Sequence, residues 1–147
     1  MAAIIVRNAT GADEGDWRRL WAGYNAFYAA TVPPAITDRT WARAIDPAVP
    51  LFCRLVEVDG VVAGFSLNVL HEGTWTADPV CYLEDLFVDP DRRGAGLGRR
   101  LIQDLVDLAR ARGWSHLYWH TRRDNPARRL YDEFVAADDF VRYRLAL

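Results

Sequence analysis

The stretch "VCYLEDLFVDPDRRGAGLGRRLIQDLVDLARARG", residues 80–113, decides how the chain is read. Residues 80–88 form an apolar, strand-like run that stops at Asp89-Pro90-Asp91. Gly94, Gly96 and Gly98 then alternate, with Arg92, Arg93, Arg99 and Arg100 on either side. Beyond them Leu97, Leu101, Ile102, Leu105, Leu108 and Ala109 fall on one helical face. Arg99, Gln103, Asp104, Asp107 and Arg110 take the other face, and Gly113 ends the helix. The first amides of a helix lack internal acceptors and carry the positive end of its dipole. A strand, a glycine turn and a helix start therefore form a receptacle for an anionic phosphate.

Two common phosphate loops do not fit. A nucleotide P-loop needs Gly-Lys-Ser/Thr, and all 18 basic residues of this chain are arginine. A dinucleotide fingerprint needs G-x-G-x-x-G and an acidic residue about 20 positions on. Here the spacing is G-x-G-x-G, and the region in question reads His116-Leu117-Tyr118-Trp119-His120.

Working outward, residues 3–9 read as a first strand. An aromatic helix face follows, with Trp17, Leu20, Trp21, Tyr24 and Phe27 or Tyr28 at helical spacing. "TVPPAIT" breaks that helix, and Thr37 caps a short second one, "DRTWARAI". Residues 51–58 and 61–70 flank Asp59-Gly60 as a hairpin. After Gly113 come a strand at 116–121, a helix at 125–135 capped by Asn125 with Pro126 in its first turn, and a closing strand at 140–147. The order β-α-α-β-β-β-α-β-α-β predicts an α/β fold with a mixed sheet and helices on both faces.

With 147 residues, 51% hydrophobic and 26% charged, the chain suits one domain over residues 1–147. A net charge of −2 provides no field toward nucleic acid or acidic membranes, so neither is expected as a partner. No run approaches the roughly 20 apolar residues of a membrane span. With no secretory leader visible, a cytoplasmic location is expected. Cys53 and Cys81 lie in apolar runs and read as buried free thiols. His71, His116 and His120 lack ligand spacing, so no metal is expected.

Arg93-Gly94-Ala95-Gly96-Leu97-Gly98 resembles the R/Q-x-x-G-x-G/A signature of the GNAT N-acyltransferases. The longer run from Tyr82 to Gly98 is similar to that of the polyamine (spermidine/spermine-type) acetyltransferases and their bacterial relatives. Asn125–Tyr131 looks like the family's second coenzyme and catalytic segment. The resemblance implies acetyl-CoA lying between two splayed strands, 80–88 and 116–121. The backbone of Leu86, Phe87 and Val88 would pair with its pantetheine arm. The amides of residues 94–99 would take the pyrophosphate, with Arg92, Arg93, Arg99 and Arg100 placed to offset its charge and Asn125 touching the pantetheine side.

The implied chemistry is attack of a neutral amine on a thioester. An alkyl amine arrives protonated, since its pKa is about 10.4, so a base must act first. Glu84 is the candidate, working through water. A mid-strand carboxylate between covered sheet faces would be buried and raised in pKa. Asp85 points to the opposite face unless a bulge brings both round. Tyr131 is carried over as the acid for the departing thiolate, and His120 is a reserve base. Tyr24, Tyr28, Trp75, Glu84 and Asp85 would line the acceptor side, where carboxylates and aromatics suit a cation. A small amine (polyamine, diamine or amino-acid-like) is expected first, a lysine side chain or protein N-terminus second, and an aminoglycoside third. A non-catalytic acyl-CoA-binding domain is the competing class, and a homodimer stays open.

Overall fold

A computed structural model describes residues 1–147. Five strands form one sheet in the order β1 (Ile4–Asn8), β2 (Leu51–Val58), β3 (Val61–His71), β4 (Val80–Val88) and β5 (Leu117–Tyr118). All neighbours are antiparallel except β4 and β5, which run parallel. The β2–β3 turn is Asp59-Gly60, both residues at positive φ (50° and 80°), as a two-residue hairpin of this hand requires.

Alternation in the central strands feeds two cores. On one face α1 (Glu14–Phe27) and α2 (Pro34–Ala44) bury Trp17, Leu20, Trp21 and Trp41 against Leu55, Phe65, Leu67 and Phe87. Trp17 stacks between Trp21 (5.3 Å) and Trp41 (5.1 Å), so aromatic area dominates this half. On the other face α3 (Leu97–Arg112) sets Leu97 and Leu101 against Val56, Val58 and Ala63. Its Ile102 and Leu105 meet Leu83 on the same side. Gly23 brings α1 flush onto β4, because a Cβ there would stand 2.9 Å from the Phe87 ring.

Four expectations about elements are corrected. The second helix begins at Pro34, before Thr37: proline at a first helical position loses no hydrogen bond, and its fixed φ suits the start. Thr37 sits inside the helix and accepts a hydrogen bond from Trp21 Nε1 (3.1 Å). The strand expected at 116–121 pairs only at Leu117 and Tyr118, because β4 diverges from it beyond Tyr82. The helix expected at 125–135 is regular only over Arg128–Tyr131 (α4). Tight i→i−3 bonds, such as Glu133 N to Leu130 O, take over after it. Residues 140–147 join no strand, and their large apolar side chains are exposed.

The divergence of β4 from β5 has a visible source. Opposite Leu67 and Asn68 of β3 stand Asp85 and Leu83, so Glu84 is an extra residue without a partner. That β-bulge bends β4 in mid-strand and opens the gap between its second half and the chain after β5.

Candidate active site

The gap is a cavity of about 530 Å³ between the second half of β4, the start of α3 and the α4 turn. Its floor is Leu86, Phe87 and Val88. One wall is the glycine loop, and the other is Asn125, Leu130 and Tyr131. Gly94 (φ 87°) and Gly96 (φ 75°) are left-handed, and nothing within 4 Å would meet a Cβ on either. Gly96 is the N-cap of α3. Arg100 N bonds back to Gly96 O (3.0 Å), whereas no amide from Gly94 to Arg99 has an acceptor within the chain. Six successive unpaired donors at a helix start fit a diphosphate by geometry and by dipole. The open cradle, the donors and a cavity of this size fit coenzyme A.

Of the residues expected on the coenzyme side, all but Ala95 line this cavity; Ala95 is exposed in the loop beside it. Arg93 places its guanidinium over the rings of Phe87 (5.5 Å) and Phe27 (5.9 Å) and donates from Nε to Val88 O (3.3 Å). Arg99 is paired with Glu133. Arg100 turns away to donate to Ile4 O (3.1 Å), and Arg92 is exposed outside the cavity. Asn125 does two things at once. Its Oδ1 accepts from Ala127 N (2.9 Å), and its Nδ2 donates to Thr121 Oγ1 (2.8 Å) and Tyr28 Oη (3.2 Å).

A recess of about 30 Å³ adjoins this cavity through the shared side chains Tyr28, Leu86 and Tyr131. Tyr24, Leu83, Glu84, Trp119 and His120 complete it. The Tyr131 ring meets Trp119 edge-on (5.7 Å), and its hydroxyl makes no hydrogen bond within the chain. Burial pushes that phenol up to about 12, so it stays protonated across the physiological range.

The carboxylates differ from expectation. The bulge turns Glu84 and Asp85 toward the same region, where the charge of Glu84 acts on Tyr24, Tyr82 and Asp85. Glu84 is exposed, contrary to the burial expected of it, because a bulged residue leaves the ladder and its side chain swings into the open gap. Burial falls on Asp85 instead, which is half-buried and, against expectation, lines neither cavity. Burial raises the Asp85 carboxyl to about 7, against the opposing influence of the Tyr24 hydroxyl, while Glu84's negative charge adds to the rise. Tyr24 is held far above its ordinary value by burial and by Asp85.

Tyr24 and Tyr28 meet at 4.9 Å, and both line the recess. Trp75 does not: it is 92% exposed on the β3–β4 loop and lines neither cavity. His120 lines the recess, and its one hydrogen bond is with Tyr82 Oη (3.3 Å). The sequence offered no signal for Phe27 as the arginine platform, since its position on the aromatic helix face read as core. Nor did it single out Trp119 on the recess wall.

Residues 17–134 match the model of the acetyltransferase (GNAT) family. A D-amino-acid N-acetyltransferase of Saccharomyces cerevisiae is 33% identical over 144 residues, covering 96% of this chain and 89% of that protein. A thialysine N-epsilon-acetyltransferase of Mus musculus is 28% identical over 155 residues, covering 96% and 88%. Among solved structures, a ribosomal-protein-alanine N-acetyltransferase from Brucella melitensis superposes with a TM-score of 0.79 at 24% identity, covering 99% of this chain and 100% of that one.

Proposed function

The chain belongs to the GNAT acetyltransferase family, whose acetyl donor is acetyl-CoA, and from that premise we propose that it acetylates the primary amine of a small amino-acid-like or diamine acceptor. One observation carries this reading: the coenzyme-sized cavity and the recess beside Glu84 and Asp85 share Tyr131 and Tyr28. The two relatives named for amino-acid acceptors support the amino-acid side of the class. The likeness of Tyr82–Gly98 to polyamine acetyltransferases keeps a diamine in it. Residues 1–147 are proposed to act as one domain.

Acetyl-CoA, when bound, supplies a thioester carbonyl and a thiol leaving group. The amides of residues 94–99, with Arg93 and Arg99, hold the diphosphate; Leu86, Phe87, Val88 and Asn125 hold the arm. Tyr24, Tyr28 and the two carboxylates receive the acceptor as its ammonium ion. The ammonium would give one proton to a carboxylate of the pair; as the C–N bond forms and the C–S bond breaks, the nitrogen's second proton would leave to solvent, while Tyr131 Oη would donate at sulfur and be reprotonated from water. Incubating the protein and acetyl-CoA with amino acids, diamines and a lysine peptide, while following thiol release and product mass, tests the acceptor class. Release with the peptide alone would replace it, and binding without release for any amine would favour the non-catalytic domain.

Glu84, acting through water, is one candidate for the proton. Asp85 is a second, favoured by its burial and the neighbouring charge of Glu84, since a base must ionise near the working pH. A base raised to about 7 gives a kcat/KM that climbs through pH 7 and levels above it. Asp85→Asn is expected to abolish that limb and lower kcat about 100-fold. Glu84→Gln is expected to keep the limb but move it to lower pH, because a neighbouring negative charge is gone. A limb lost in Glu84→Gln and kept in Asp85→Asn assigns the proton to Glu84. Stability supplies a readout free of turnover. A carboxyl raised in the folded state costs stability progressively as pH rises from the unfolded pKa of about 3.9 through the folded value, and fully above it. Asp85→Asn should therefore raise Tm at pH 8 and leave it nearly unchanged at pH 4.

A further inference from the structure

The recess supplies charge partners for one end of an acceptor only. Its volume of about 30 Å³ is close to the share of a single water in the liquid, so it takes an amine head and no more. Glu84 lines it, Asp85 acts on its Tyr24 wall, and no arginine lines it. An α-amine would bring its own carboxylate into that space against Glu84. An amine at the far end of a chain leaves its carboxylate outside.

Outside stands Arg122. Its guanidinium lies over the Tyr28 ring at 5.8 Å, and Tyr28 lines both the recess and the coenzyme cavity. Stacking holds the planar fork by its face and leaves the N–H edges open. Those edges are unclaimed: the side chain forms no ion pair and donates to no acceptor in the chain. The other cations near the site are committed. Arg93 is held by Phe27, Phe87 and Val88 O, Arg99 pairs with Glu133, and His120 faces Tyr82. Arg142 acts on Tyr82, which lines neither cavity.

The platform under Arg122 is fixed from two directions. Tyr28 packs on Tyr24 (4.9 Å) and Phe27 (5.0 Å), and its Oη accepts from Asn125 Nδ2 (3.2 Å). Asn125 N in turn donates to Arg122 O (3.1 Å), so the turn that braces the tyrosine also sets the arginine's backbone. A free, stacked guanidinium beside an acidic recess suits a carboxylate several bonds from the amine.

Resting on the acetyl-transfer reading above, we propose that Arg122 grips the carboxylate of an ω-amino acid whose far amine enters the recess. Arg122 then selects within the acceptor class. A diamine sets a second ammonium against the guanidinium, and an α-amino acid sets its carboxylate against Glu84.

Three six-carbon amines test this with the full chain and acetyl-CoA: ω-aminohexanoate, hexylamine, which lacks the carboxylate, and norleucine, whose amine stands beside it. The kcat/KM for ω-aminohexanoate is expected to exceed the other two by about 10–100-fold, the range of a charge-assisted hydrogen-bonded pair. Arg122→Gln should bring it down to the level of hexylamine through KM, and Arg122→Lys should keep part of the preference. Arg122→Glu should move the preference to hexanediamine, a reversal that a merely structural arginine would not give. A preference that survives Arg122→Gln, or a wild type that prefers norleucine or shows no preference, overturns the anchor and leaves acetyl transfer standing. Lost CoA affinity in Arg122→Gln with the preference intact assigns the arginine to the coenzyme and overturns it too. Turnover of none of the amines fails the acetyl-transfer reading instead. Calorimetry of ω-aminohexanoate against the CoA-loaded protein then decides the anchor: binding that Arg122→Gln removes supports it, and binding no tighter than that of hexylamine overturns it.

Discussion

Gly96→Glu is expected to abolish coenzyme binding while the fold survives. Gly96 sits at φ 75° as the N-cap of α3, with no atom within 4 Å of where a Cβ would go. Space is therefore not the obstacle for a side chain, and the left-handed backbone costs on the order of 1–2 kcal/mol. A carboxylate at a helix start is itself favoured by the dipole, which offsets part of that strain. The effect falls on the ligand. The glutamate is placed to accept from the amides of residues 97–99 and so to take the position of the diphosphate. It also sets a negative charge against it; at about 4 Å and an effective dielectric near 20 that repulsion is about 4 kcal/mol. Affinity should fall by about 10³-fold after allowing for salt. Gly96→Ala separates the causes: it carries the strain without the charge and should lose no more than about tenfold. Titration calorimetry with CoA measures both, and circular dichroism checks the fold. Normal affinity in Gly96→Glu would mean that the loop holds no diphosphate.

The loop was legible because its chemistry is local. Gly94, Gly96 and the face of α3 are adjacent in sequence, and a helix start after alternating glycines implies unpaired amides whatever lies around it. The hairpin at Asp59-Gly60 and the two-faced sheet were legible for the same reason, since alternation and turn chemistry are written residue by residue. Glu84 and Asp85 were legible as residues but not as environments. Which of them is buried depends on a bulge fixed by pairing with Leu67 and Asn68, some 16 positions away, and strand periodicity alone puts them on opposite faces. Trp75 failed for a related reason: a loop aromatic counts as a wall only if the loop folds inward, and this one does not. Residues 140–147 carry a clear strand pattern that the isolated chain leaves unpaired.

Tyr131→Phe should lower kcat by about 10²–10⁴ with CoA affinity little changed. The substitution removes one oxygen and keeps the ring that packs on Trp119 and lines both cavities. Its hydroxyl bonds to nothing in the chain, so no partner is left unsatisfied by its loss and stability should hardly change. What disappears is a proton donor at the junction. A thiol leaving group has a conjugate-acid pKa near the cysteine value of about 8.5. Tyr131 stands at about 12, so complete transfer from a resting phenol is uphill by roughly 5 kcal/mol. The phenol therefore acts as a donor that strengthens while charge gathers on sulfur, a contribution realised only in the transition state. That accounts for a fall in kcat without a matching loss of binding. It also fixes a pH signature: a donor with this pKa adds no descending limb below about pH 10, so the wild type and Tyr131→Phe should share one profile shape at different heights. A descending limb near pH 8 that vanishes in the variant would move the donor's pKa, and an unaltered rate would remove Tyr131 from the reaction.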